Sequence, residues 1–205
     1  MEQKKSSLTE QKREAIVSAA IEAFREYGVQ ATSMDKLAKL ANVSKRTIYN
    51  HFANKEALVL HLVTELWQRA ISANQLEYQA EKPLDQQLAQ LLSAEVEFYA
   101  SPHYQDLARV AFDHLFDNPA LFEQELKKLE GQETAVYRWL VAATKAGKLA
   151  DIDAAFAKEQ LHSLIKGSAL WPQLIRLRPP LSEAQKQHLV TETTKLFLAR
   201  YRVTS

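Results

Sequence analysis

Residues 33–52 read Ser-Met-Asp-Lys-Leu-Ala-Lys-Leu-Ala-Asn-Val-Ser-Lys-Arg-Thr-Ile-Tyr-Asn-His-Phe. Met34, Leu37, Ala38 and Ala41 recur at i, i+3, i+4 and i+7, which gathers them on one apolar face of a short helix. Asn42 tolerates the left-handed backbone that a sharp turn demands. Val43 is apolar and suits the corner, and Ser44 offers a hydroxyl to the N–H groups that a new helix leaves without partners. The pattern predicts a second helix from Ser44, with Ile48 and Phe52 one turn apart and facing inward. Lys45, Arg46, Thr47, Tyr49 and Asn50 are left on the other surfaces, and no carboxylate is among them.

Two short helices joined by a tight turn, the second cationic and rich in hydroxyls, make the pattern of a helix-turn-helix DNA reader. Guanine shows two acceptors in the major groove, and adenine a donor and an acceptor, which Arg, Lys, Asn and Thr can match. Tyr49, His51 and Lys55 suit phosphate oxygens, which accept hydrogen bonds without carrying sequence information. Ser33 and Ser44 stand at helix starts, where outward N–H groups and the helix dipole favour an anion. A basic surface helix is common by itself. Small packing residues, a corner and an acid-free exposed face occurring together are not.

From Ile16 to Leu58 the chain resembles the DNA-binding domain of the TetR family of bacterial transcriptional repressors. The resemblance is carried by Ile16, Ala19, Ala20, Phe24, Gly28, Thr32, Ser33, Leu37, Ala38, Ala41, Val43, Ser44, Thr47, Ile48, Tyr49, His51, Phe52, Lys55, Glu56 and Leu58. Asn42 stands where the family usually has Gly, a mild departure, since Asn also enters the left-handed region. In the second half, Leu161–Leu174 faintly resembles the AefR-like branch. The resemblance implies a homodimeric, ligand-responsive repressor without enzymatic activity. Its partners would be a double-stranded DNA operator of approximate two-fold symmetry and a small hydrophobic effector.

Composition bounds the rest. The 205 residues include no cysteine, which leaves no disulfide framework, thiolate nucleophile or zinc–thiolate site. No metal-ligand spacing and no cofactor motif is apparent, and His103 and His114 fit surface or capping roles. The N-terminal Met-Glu-Gln-Lys-Lys-Ser-Ser has no apolar run behind its lysines, and nothing approaches the ~20 apolar residues of a membrane helix. A soluble cytoplasmic protein is expected. The net charge of +1 conceals an asymmetry: residues 1–60 carry ten Lys/Arg against seven acids. DNA binding would therefore rest on a local patch rather than on overall charge.

The fold class read from the pattern is all-α, a three-helix DNA-binding head (1–53) followed by a larger helical effector-binding and dimerisation domain (54–205). Gly and Pro are scarce and fall at edges. Ser7 with Glu10 forms a capping box for a first helix whose inner face is Ile16, Ala19, Ala20, Ala23, Phe24 and Tyr27, ending at Gly28. Thr32 or Ser33 caps the second. Asn54 caps a long fourth helix to about Ala80, with Leu58, Leu62, Leu66, Trp67 and Ile71 along it. Later starts are expected at Pro83, Ser101-Pro102, Asn118-Pro119 and about Asp151, with Gly147 closing one helix and Pro172 interrupting another. A second capping box, Ser182 with Gln185, opens the last helix.

The second domain is rich in aromatics. Any one of them serves equally well as core; together they leave gaps between helices that suit an apolar guest. The expected pocket lies between the helices carrying Phe98, Phe112, Trp139 and Leu164, with Trp171 at one end and His103 or Tyr104 as polar handles. Asp113 beside His114 lacks a nucleophile or third partner for catalysis. For the dimer, Gly167 sits where helices can approach closely, and Leu189, Thr193, Leu196, Phe197 and Tyr201 form one stripe of the last helix. The resemblance implies that the last two helices pair with their mates. Two rival classes are a helical enzyme or carrier and a protein–protein adaptor; neither accounts for an acid-free reading face.

Overall fold

The computed structural model describes residues 7–72, 76–117, 123 and 133–203, without the side chains of 66, 67, 69–72 and 113–117. The expected helix start at Asn118-Pro119, and the side chains of Leu66, Trp67, Ile71, Asp113, His114 and Phe116, lie outside the described residues. The described residues are almost wholly helical and contain no strand, only an isolated antiparallel bridge between Leu149 and Arg202. The chain forms two compact units, 1–66 with 106–128, and 67–105 with 129–205.

The first unit begins with α1 (Leu8–Tyr27), opened by the Ser7–Glu10 capping box and closed at Gly28, whose φ of 80° relieves the last turn. Ile16, Ala20 and Phe24 are buried as the spacing predicts, but Tyr27 is 45% exposed. Its ring lies under the Lys36 ammonium, 3.0 Å from the ring centre. Ser33 caps α2 (Met34–Leu40). Thr32 turns inward instead, its buried hydroxyl donating to the Gly28 carbonyl at 2.9 Å.

After α2 the backbone closes as a double hydrogen-bonded turn. Val43 N–H donates to the Ala38 carbonyl and Asn42 N–H to that of Lys39, with Asn42 at φ 52°. α3 (Lys45–His51) then starts under the Ser44 cap, and Asn54 caps α4 (Lys55–Ser72) through the Ala57 N–H at 2.8 Å. Leu37, Ile48, Leu58 and Leu62 are wholly buried. From Asp106 onward α6 (Pro102–Asp117) belongs to this unit, and Asp106 accepts from Arg25 of α1 at 2.9 Å and from Arg109 at 2.7 Å.

In the second unit α5 (Leu84–Ala100) packs against α8 (Ala154–Ala169) and α10 (Glu183–Tyr201). α7 (Ala135–Lys145) and the single turn α9 (Trp171–Leu174) both pack on α8. Leu88, Leu92, Trp139, Leu140, Leu161 and Ile165 fill the interior. Pro172 interrupts the helix as expected, at a Leu170 bent to φ −124°, ψ −67°.

The fourth helix does not reach Ala80, because residues 76–78 have no helical structure. Buried Gln87 takes over the backbone there: its side chain accepts from Gln79 N–H and donates to the carbonyls of Gln79 and Lys82, each at 2.8 Å. The same Gln87 oxygen accepts from the Trp139 indole at 3.2 Å. A side chain that satisfies this many buried groups decides a path that local helix propensity would not.

Candidate nucleic-acid interface and the faces of the second unit

α3 has no acid in its first turn, and Lys45, Arg46, Tyr49 and Asn50 are exposed on it while Ile48 is wholly buried against the head. The Ser44 hydroxyl accepts from Thr47 N–H at 3.0 Å and lies 2.8 Å from the Thr47 hydroxyl, which ties down the first turn. His51 is half-buried at the far end. Ser33 caps α2 through the Lys36 N–H at 3.2 Å.

Two cations of the expected DNA-binding set have partners within the head. Asp35, on α2, takes the Lys45 ammonium in an ion pair and raises the pKa of Lys45 through that hydrogen bond. The reading helix is acid-free, but a carboxylate from its neighbour reaches one of its two cations. Both groups are well exposed, so the pair is weak and exchangeable. Lys55 is committed further: its ammonium donates to the carbonyls of Val29 at 2.8 Å and Gln30 at 3.3 Å, bracing the loop after α1. Lys55→Met is therefore expected to lower head stability by about 1–3 kcal/mol, with the salt dependence of DNA affinity unchanged. A salt slope smaller by about one counterion would mean that Lys55 holds a phosphate after all.

Behind the turn, Arg13 lies 4.8 Å from the centre of the Phe52 ring and 3.3 Å from the His61 ring nitrogen. Burial, then the Arg13 charge, lowers the His61 pKa. This cluster fixes the start of α4 against α1.

In the second unit Phe98 and Tyr104 are in ring contact at 4.3 Å, with Tyr99 5.4 Å from each. Trp139 is buried elsewhere in that unit, with Tyr78 edge-on at 6.3 Å. His103 is exposed, Trp171 is 43% exposed and Leu164 is 39% exposed. None of these three is an inward residue: α8 buries Leu161, Ile165 and Ala169, and that register turns Leu164 outward. Phe112 belongs to the first unit.

The last helix likewise splits the expected stripe. Thr193 and Phe197 are buried with Val190, Thr194 and Leu198, while Leu189 and Tyr201 are half-buried and Leu196 is 59% exposed. Leu196 instead joins Phe156, 57% exposed, and Leu164 along a groove of about 600 Å³ between α8 and α10. Phe156 faces outward because α8 buries Ala157, Leu161, Ile165 and Ala169, a register that turns Phe156 away from the core. Gly167 is exposed on the same helix, with nothing near where a Cβ would stand.

Comparison with known proteins places this geometry. Residues 16–62 match the bacterial regulatory proteins of the tetR family, and residues 86–203 match the AefR-like transcriptional repressor C-terminal domain. A TetR family transcriptional regulator from Pseudomonas syringae pv. tomato has a similar structure (TM-score 0.83), is 35% identical, and aligns over 95% of this chain and 98% of its own. A putative TetR-family regulator from Mesorhizobium loti shares the fold at TM-score 0.79 and 23% identity, over 97% of this chain and 100% of its own. The HTH-type transcriptional regulator RutR of Escherichia coli (strain K12) is 29% identical over 157 residues, 73% of this chain and 70% of that protein. The names of these relatives are those of transcriptional regulators and not of enzymes, and no helix among the described residues is long and apolar enough to cross a membrane. The chain belongs to the TetR family of transcriptional regulators.

Proposed function

We propose that the protein is a homodimeric repressor that leaves its operator when a small, mostly apolar ligand binds. The observation that carries the DNA-reading half is α3, whose outer face presents Lys45, Arg46, Tyr49 and Asn50 over a buried Ile48. In this reading Lys45, Arg46, Thr47 and Asn50 approach base edges, and Tyr49 and His51, with Ser33 and Ser44 at the helix starts, hold phosphates. Reading is assigned to residues 1–53 and ligand binding and dimerisation to 54–205. Two subunits then require half-sites related by two-fold symmetry, one helical turn or a multiple apart. Arg46→Ala is expected to cost about 1–3 kcal/mol at the operator and much less on random DNA. Equal losses on both, measured by titration at fixed salt, would remove Arg46 from base reading.

The groove holding Phe156, Leu164 and Leu196 supports a second copy as its occupant. It lies on the two long helices α8 and α10 and is an exposed apolar strip beside the buried Phe197. Apolar strips of this kind on otherwise polar helices mark association surfaces. The ligand site is proposed at the aromatic groups of the second unit, Phe98 with Tyr104 and, at a distance, Trp139. A ligand releases DNA only to the extent that it binds one conformation more tightly than the other. α4 and α6, each with residues in both units, are the elements whose position it would bias.

A further inference from the structure

The second unit has an open cleft of about 420 Å³, formed by three segments that are remote in sequence. They are the loop before α5, the turn after α7 and the chain just past α10. Each contributes a cation to the lining: Lys82, Lys148 and Arg202. Glu81 is the one carboxylate among the lining residues, and Tyr78 and Leu84 supply apolar surface. Backbone hydrogen bonds hold the three segments in place. Gln87 donates to the carbonyls of Gln79 and Lys82, each at 2.8 Å, which fixes the loop before α5. After α7 the chain reverses at Gly147, whose φ is 68°, and the Lys148 N–H donates to the Ala143 carbonyl at 3.0 Å. Ala150 N–H then donates to the Tyr201 carbonyl at 2.8 Å and Val203 N–H to that of Lys148 at 3.2 Å, on either side of the Leu149–Arg202 bridge.

Lys82, Lys148 and Arg202 are all exposed, and among the described residues none of their side chains is engaged in an ion pair. Three positive charges against one negative around a single cleft stand out in a chain whose net charge is only +1. Like charges held together repel, and a cleft lined mainly by one sign concentrates the potential on an incoming counter-ion. The guanidinium of Arg202 offers a planar fork that fits a carboxylate or a phosphate with two hydrogen bonds, and each lysine adds a point charge. A guest with one negative charge would leave the excess unneutralised, so the lining suits a guest with two or more. The volume falls in the range of about 300–1,000 Å³ usual for small-molecule sites.

We propose that Lys82, Lys148 and Arg202 form a binding site for a small polyanion, a molecule carrying two or more carboxylate or phosphate charges. The site is separate from the aromatic groups assigned above to an apolar ligand, and its chemistry is the opposite of theirs. It therefore stands whether or not that assignment does.

The test is calorimetric titration of the full chain, at fixed ionic strength, with citrate, pyrophosphate and acetate. The wild type is expected to bind citrate or pyrophosphate with a Kd of about 1 mM or below, and acetate at least ~10-fold more weakly. Tighter binding of citrate would mark a carboxylate guest and tighter binding of pyrophosphate a phosphate one; either upholds the site. Arg202→Gln and Lys148→Gln are each expected to weaken the preferred polyanion at least ~10-fold with an unchanged melting profile. Lys82→Gln, on the third segment, replaces either variant if it fails to fold. Lys12→Gln removes an exposed cation of the first unit and should leave the affinity as it is. A wild type that binds both polyanions more weakly than this, or acetate as well as either, would overturn the proposal. So would cleft variants that bind like the wild type, or a loss in Lys12→Gln equal to theirs, which is the mark of general charge attraction.

Discussion

Leu196→Glu is expected to yield a folded monomer that has lost at least about a hundredfold in operator affinity. The side chain is already 59% exposed in the single chain, so a carboxylate there costs the subunit's own fold little. In an assembled dimer the same position would be covered, and a charge without a partner at an apolar interface is strongly unfavourable. Two linked heads bind two half-sites with an effective concentration that a single head lacks, which is worth about 10²–10⁴ in affinity. Light scattering reads the mass and circular dichroism the fold. A wild type that is monomeric at micromolar concentration, or a variant that remains dimeric, would remove this groove as the interface.

The second large effect is expected from Ile48→Ala. Ile48 is wholly buried on the inner face of α3, as are Leu37 on α2 and Leu58 on α4, and α3 packs on α2. Removing its branched side chain leaves a cavity at the place where the reading helix is held, a change that costs about 2–5 kcal/mol. A head this small buries little surface to spare, so both melting temperature and operator binding should fall. Tyr49→Ala, one residue along and 48% exposed, should leave stability within about 0.5 kcal/mol of the wild type. Equal stabilities for Ile48→Ala and wild type in a thermal melt would show that α3 is held by something other than this contact.

The order in which the features became legible has a physical basis. Caps and turns are local: Ser7 with Glu10, Asn42, Ser44 and Ser182 with Gln185 each satisfy backbone groups within a few residues of themselves, and each is found as its spacing predicts. The helix-turn-helix is built from such short-range rules and from one apolar face per helix. It was therefore readable as sequence, together with the family.

Long-range choices were not readable. The place of Lys55 near the reading helix suggests a phosphate ligand, and nothing local in the chain shows that its ammonium also donates to the loop at Val29 and Gln30, some 25 residues away in sequence. Lys45 met its acid on another helix. Gln87 ended the regular path after α4 by gathering backbone groups from Gln79 and Lys82 and an indole from Trp139. Apolar residues on α8 and α10 were identifiable from the sequence, but which of them turn inward depends on a helix's rotation against its neighbours. That rotation put Leu161 and Phe197 in the core and left Phe156, Leu164 and Leu196 outside. By itself, then, the sequence determined the capped helix starts, the turn and the reading motif, because hydrogen bonds within a few residues decide those. Only the tertiary structure decided which cations are free, where α4 stops and which apolar faces remain open, because those depend on partners that chain order does not specify.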